Sequence, residues 1–409
     1  MNIRLTANDL KSKTKINITG SKSETNRLLL LKALYPNIAI VNASNSDDSE
    51  VMNSALTSNN QIIDVNHAGT AMRFLTAYFA SQESKSVTLT GSSRMKERPI
   101  KILVDALIQL GANIEYLEND GFPPIKIIGQ KLTSSRVSLP ANVSSQYISA
   151  LLLIAPSLEN GLELELSGEI TSISYINMTM KLLSEIGVET SAVGNLITVK
   201  PSIQNPTPKT LVVESDWSSA SYFYSIVALS KVGTQIELSS YKENSLQGDA
   251  ILATIYQQMG VETHFDVGKI TLVKNQNPIK QNIKLDLNSA PDIAQTIVVT
   301  AFGLGIECQL TGLHTLKIKE TDRLEALQKE LSKLGAAISV TEDSLHLSPS
   351  KTILSNQSIS TYNDHRMAMA FAPLALKTNL NIENAEVVSK SYPNFWSDLK
   401  LLGFEISEY

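Results

Sequence analysis

With 409 residues the chain is long enough for two or three domains and a large apolar core, which excludes a small cross-linked scaffold. Apolar residues make up 43%, charged residues 18%, and the net charge is −5, so no basic surface marks the chain for nucleic acid and any bound anion must be met by locally placed cations. The single cysteine, Cys308, permits neither an internal disulfide nor a cysteine metal cluster and points to a reducing compartment. The opening stretch MNIRLTANDLKSK interleaves charge with short apolar segments and lacks the apolar core of a secretory signal. The longest apolar runs, ISALLLIA and IVVTAFGLGI, are about half the ~20 residues a bilayer crossing needs. A cytoplasmic protein without a membrane partner is expected.

Further along the chain one pattern recurs. An amphipathic helix ending on an apolar residue, then Gly, then a β-like segment occurs at LIQLGANIEY, LSEIGVETSA, YQQMGVETHF, LSKLGAAISV and LKLLGFEISE, with glycines at Gly111, Gly187, Gly260, Gly335 and Gly403. Their separations run from 68 to 76 residues, too even for chance placement of 19 glycines, so a unit of about seventy residues repeats six times. Within it Leu324, Leu327, Leu331 and Leu334 have helical spacing, Gly335 suits a left-handed helix stop, and ISVTEDSLHLS reads as a hairpin. A second helix is predicted in the other half of each unit, starting near Ser23, Gly69, Ser144, Ser218, Asp292 and Asp364 and leading into extended stretches such as LELELSGE. The first unit is shortened, because SALTSNNQIIDVNHAG has no helix-Gly hairpin. Six α/β units suggest two domains of three, and a repeat scaffold that merely binds partners would share this pattern.

The helix starts carry more than the one Ser, Thr, Asp or Asn that a cap requires. ITGSKSETNR places Lys22, Ser23 and Arg27 at a helix N-terminus, where free N–H groups and the dipole favour anions, although it is not a P-loop. NHAGTAMR offers Gly69 and Thr70 for close backbone approach and Arg73 one turn later, and GSSRMKERPI follows with Arg94, Lys96 and Arg98 before Pro99. NVSSQYISALLLIA presents Ser144, Ser145 and Gln146, of which one serine suffices for a cap. Then come Asp292 in NSAPDIAQT, Lys319, Glu320, Asp322 and Arg323 in KIKETDRLEAL, Asp364, His365 and Arg366 in YNDHRMAMA, and Lys390 in SKSYPNFW. Taken singly, each has an ordinary reading as well: Thr321 or Asp322 as a cap, Asn363 or Asp364 as another, a charge run as a solvated face. Together they bring cations from five or more loops, with the isolated carboxylates Asp292 and Glu320 among them, as a polyanionic substrate requiring proton transfer would demand.

At these residues a resemblance becomes specific. GSKSETNR, AGTAMR, RMKERP, SSQ, SSASYF, QGD, PD, KETDRL, YNDHRMAM and SKSYPNF resemble, in order and spacing over essentially the whole chain, the 5-enolpyruvylshikimate-3-phosphate synthase family. The resemblance implies two domains, each of three βαβαββ units in an inside-out α/β barrel, with residues 1–19 and 215–409 in one domain, 20–214 in the other, and the active site in the cleft between them. It implies transfer of the enolpyruvyl group of phosphoenolpyruvate to the 5-hydroxyl of shikimate 3-phosphate by addition and elimination, in chorismate and aromatic amino acid biosynthesis. By motif match Lys22, Gly69, Arg94, Gln146, Arg323, Arg366 and Lys390 would hold phosphoenolpyruvate. Ser23, Arg27, Ser144, Ser145, Gln146, Ser172, Tyr175, Asp292, Thr315 and Lys319 would hold shikimate 3-phosphate. Glu320 would protonate carbon, while Asp292, aided by Lys22, acts on the hydroxyl. The chain departs from the family pattern at His67, where many members have Asn, and at Phe74, where Pro is usual; both flank the Gly69 turn and bear on sensitivity to glyphosate. Thr315 replaces a common Asn, and Ile173 and Ser174 replace a Lys-Pro pair.

The nearest alternative is the enzyme that places the same group on UDP-N-acetylglucosamine, which typically uses a cysteine in the loop matching GSSRMKERP. That loop has neither Cys nor Asp, and Cys308 lies in the apolar run FGLGIECQL. A non-catalytic binder of phosphorylated ligands is the other. With no metal-ligand spacing and no dinucleotide glycine turn, the expectation is no metal and no cofactor, small-molecule substrates only, no nucleic acid, and a monomer.

Overall fold

The computed structural model describes residues 1–409 except 8, 9, 12, 142, 143, 169, 171 and 203–207. The chain divides into two compact units, Met1–Gly20 with Glu214–Tyr409 and Ser21–Val213.

The repeat is visible in the sheets. In the discontinuous unit, Asn282–Asp286 pairs parallel with Glu307–Thr311, which pairs antiparallel with Leu345–Leu347, itself the second arm of a hairpin with Ile338–Val340. The continuous unit repeats that order with Ile62–Asp64, Ser86–Thr90, Ile125–Ile128 and Asn113–Tyr116. A parallel pair needs a crossover helix, and the closing hairpin needs a tight stop to the helix before it, so each of these repeats reads βαβαββ. Gly260 shows why glycine ends that helix. Its φ is +82°, and a Cβ there would sit 2.1 Å from the Gln276 carbonyl oxygen.

Two sheets depart from the pattern. Among the described residues the strand Ile38–Val41 pairs only with Lys209–Val212, leaving a two-stranded parallel ribbon in place of a four-stranded sheet. In the last sheet the central hairpin position is filled by the N-terminal strand Ile3–Thr6, which runs antiparallel between Leu380–Ile382 and Glu405–Glu408.

Helices occupy the interior of each unit. In the discontinuous unit Trp217–Leu229, Ala294–Leu304 and His365–Phe371 are buried almost all round, as helices apolar on every face must be. Ser221 to Thr296 at 3.0 Å and Ser225 to Thr300 at 2.7 Å are hydrogen-bonded with the same four-residue step on both helices. Trp217–Leu229 and Ala294–Leu304 therefore run parallel, with their first turns at the same end. In the continuous unit Gly69–Ala80 and Ser145–Ile154 are the corresponding buried helices. The strands lie outside, one face inward; Leu162–Ser167 alternates buried and exposed along its whole length. Each unit is thus an inside-out α/β barrel, helices within and sheets without.

Candidate active site

The discontinuous unit gathers its charged residues at the helix starts. Pro291–Ile293 forms a short 3-10 turn before the buried helix, which presents Asp292 at the entry. Arg323, the first residue of Arg323–Lys333, is itself buried and is gripped from three sides. Its Nη1 donates to Asp292 Oδ1 at 2.9 Å, its Nη2 to Glu320 Oε2 at 2.9 Å, and its Nε to Asp364 Oδ2 at 2.7 Å. Burial alone would lower the guanidinium's pKa, but Asp364, Glu320 and Asp292 together hold it above its ordinary value.

Asp292 also faces Lys319 Nζ at 3.4 Å and Arg366 Nη2 at 3.6 Å, and its carbonyl accepts from Arg366 Nη1 at 3.1 Å. One carboxylate therefore meets three cations drawn from one loop and two helices. Arg366 reaches further, donating from Nη2 to Ser218 Oγ at 3.3 Å, and Ser218 in turn donates to Asp249. Burial, then the neighbouring Asp292, pushes the Asp249 carboxyl up to about 6. Lys390 Nζ donates to the Asn363 carbonyl at 2.5 Å. The Thr315 hydroxyl is buried without a hydrogen-bond partner among the described residues.

In the KETDR and NDHR motifs helix capping and the charge network coexist. Asp322 caps its helix, accepting from Leu324 and Glu325 N–H at 3.1 Å each, while Lys319 and Glu320 beside it enter the network. Asp364 caps its helix by accepting from Arg366 N–H at 2.9 Å and grips Arg323 with the same carboxylate.

In the continuous unit Lys22 and Ser23 stand in the first turn of Lys22–Leu34, with Lys22 Nζ 3.3 Å from the buried Asp48. Arg27, one turn on, is buried: Nε donates to Thr179 Oγ1 at 2.7 Å, Nη1 to the Ser23 carbonyl at 2.8 Å, and Nη2 to Ser149 Oγ at 2.9 Å and the Tyr175 carbonyl at 3.3 Å. Those bonds engage four of its five donors and leave one Nη1 N–H. The guanidinium lies over the rings of Phe74 at 5.4 Å and Tyr175 at 5.7 Å, and burial pulls its pKa down to about 10. Ser144 caps Ser145–Ile154, accepting from Gln146 N–H at 3.4 Å, which frees Ser145 from that task; Gln146 Nε2 donates to Thr70 Oγ1 at 3.1 Å. Ser172 opens Ile173–Glu185 in the left-handed region, with φ +51°.

The loops around Gly69 are tied together. His67 Nδ1 is 2.9 Å from Ser92 Oγ, which also accepts from Met95 N–H. A Cβ on Gly69 would lie 2.5 Å from Arg98 Nη1, so the guanidinium that rests on this glycine is Arg98. Arg94 is exposed and paired with Glu97 at 2.9 Å. The sequence assigns no role to Asp48 or Asp249, and places Arg98 only as one of three cations in GSSRMKERPI. QGD, among the resembling strings, was the only signal for Asp249.

The family model for EPSP synthase (3-phosphoshikimate 1-carboxyvinyltransferase) matches residues 40–399. A Bacteroides fragilis (strain YCH46) protein named 3-phosphoshikimate 1-carboxyvinyltransferase is 47% identical over 400 residues, 96% of each chain. One of the same name from Histophilus somni (strain 2336) is 36% identical over 417 residues, 94% of this chain and 95% of that one. Among solved structures, EPSP synthase from Acinetobacter baumannii superposes with a TM-score of 0.79 at 21% identity, covering 100% of both chains. The enolpyruvyl transferase NikO from Streptomyces tendae does so with 0.73 at 12% identity, over 99% of this chain and 98% of that one. At such identities the structural likeness speaks for the fold, and the sequence relatives for the family.

Proposed function

The chain belongs to the EPSP synthase family, and as a member transfers the enolpyruvyl group of phosphoenolpyruvate to the 5-hydroxyl of shikimate 3-phosphate; we propose that the two clusters described above divide that reaction as follows. The transfer adds the hydroxyl oxygen to C2 of phosphoenolpyruvate while C3 takes a proton; phosphate then leaves as C3 gives the proton back. It needs cations for two phosphates and two carboxylates, an acid aimed at carbon, and a base at the hydroxyl.

Lys22, Gly69, Arg94, Gln146, Arg323, Arg366 and Lys390 bind phosphoenolpyruvate. Ser23, Arg27, Ser144, Ser145, Gln146, Ser172, Tyr175, Asp292, Thr315 and Lys319 bind shikimate 3-phosphate. Glu320 delivers the proton to the methylene carbon, and Asp292, with Lys22, takes the one from the hydroxyl. The observation that carries this assignment is Arg323, which holds Asp292 and Glu320 at 2.9 Å each. One cation thereby sets the orientation of both carboxylates, and an anion arriving at Arg323 meets both. The free N–H on Arg27 and the unpartnered hydroxyl of Thr315 support their place as substrate contacts. A cytoplasmic monomer is part of the proposal; the sole cysteine, a buried free thiol, accords with a reducing compartment. Among the described residues no helix is long and apolar enough to cross a membrane.

The test follows phosphate release from phosphoenolpyruvate with shikimate 3-phosphate, with UDP-N-acetylglucosamine as a parallel acceptor. Glu320→Gln should lower kcat by about 10²–10⁴ with little change in either KM. A Glu320→Gln enzyme of normal kcat removes Glu320 from the chemistry.

A further inference from the structure

The helix Arg323–Lys333 bears a buried acid, Glu330, two turns beyond Arg323. Glu330 accepts from Lys333 Nζ at 2.7 Å, from Ser360 N–H at 3.0 Å and from the Tyr362 hydroxyl at 2.6 Å. Its last two partners belong to the segment that leads into the NDHR helix. In that segment Tyr362 and Asn363 have φ of +54° and +55°, two successive residues other than glycine in the left-handed region. Such a pair is unfavourable and persists only where surrounding contacts over-determine it. The next residue, Asp364, grips Arg323, and two further on stands Arg366.

From this geometry we propose that Glu330 is a positioning residue: it latches the strained Tyr362–Asn363 turn and so sets where Asp364 and Arg366 stand. Lys390, donating to the Asn363 carbonyl at 2.5 Å, engages the same turn. Glu330 touches none of the reacting groups and acts through Tyr362. A buried carboxylate with three donors in fixed directions is suited to this, because each bond is charge-assisted and the helix that carries it is the one that carries Arg323. The inference rests on the reading of Arg323 and Arg366 as ligands of phosphoenolpyruvate.

Steady-state kinetics and melting curves of the full-length enzyme test it, with Arg366→Lys as the reference for the site. Glu330→Gln should raise KM for phosphoenolpyruvate about tenfold, the loss expected for weakening hydrogen bonds to a charged group, and change KM for shikimate 3-phosphate less than about twofold. Tyr362→Phe should shift the same constant in the same direction. Adding Asn363→Gly to Glu330→Gln should recover much of the loss, because glycine adopts the left-handed conformation without a latch. A Glu330→Gln enzyme whose melting temperature falls while KM for phosphoenolpyruvate holds overturns the proposal, as does a double variant without recovery. If Glu330→Gln does not fold, an unchanged KM in Tyr362→Phe overturns it alone. If Arg366→Lys leaves KM for phosphoenolpyruvate unchanged, the site reading fails; if it raises KM and Glu330→Gln does not, only the latch fails.

Discussion

Replacing Arg323 by Met keeps most of the side chain's length and apolar stem while removing the charge that three carboxylates share. Asp292 retains Lys319 at 3.4 Å and Arg366 at 3.6 Å, but the fully buried Asp364 loses its 2.7 Å guanidinium partner. Breaking a buried pair from one side costs about 3–5 kcal/mol. Spread over a discontinuous unit of roughly 200 residues, that is a fall in Tm of roughly 6–20 °C. Urea unfolding and thermal melts of both proteins at pH 7.5 measure it. A loss below about 1 kcal/mol would refute the view that Arg323 compensates buried charge.

Asp249, raised to about 6 by burial, binds a proton more readily in the native state than when unfolded. Its ionisation therefore opposes folding above pH 6, and Asp249→Asn should stabilise the protein at pH 7.5 by up to about 3 kcal/mol, with the gain gone near pH 4 in urea titrations. The buried Cys308 thiol, pushed up to about 12, should resist iodoacetamide at pH 8 in the native protein and react in urea. Activity should survive that treatment, whereas rapid loss would point to a reactive cysteine as in the UDP-N-acetylglucosamine enzyme.

The helix stops are legible in the sequence because each must be met locally: an apolar stripe, a glycine and a hairpin lie within about fifteen residues, and the five repeat glycines all have positive φ. The six-unit α/β organisation follows from that period. The place of Ile3–Thr6 does not, since its partners lie some 380 residues away and no local pattern selects them. At the helix starts, residue types reveal a cap or a charge but not a side chain doing both, as Asp364 does. Lys22 with Asp48, Ser218 with Asp249, and Glu330 with Tyr362 are pairings across 26 to 32 residues, made only when separate loops meet. Arg27 reads as an anion-binding cation at a helix start, yet is buried against two rings, because both hydroxyls and one of the two carbonyls that receive its N–H groups come from helices over a hundred residues on.

The strand Ile3–Thr6 at the centre of the last sheet has a consequence for synthesis. It leaves the ribosome well before either strand it joins. At about 5–20 residues per second it waits on the order of half a minute, during which Ser21–Val213 is complete and can fold. Until Leu380–Ile382 and Glu405–Glu408 appear, both edges of Ile3–Thr6 are open to any unpaired strand nearby.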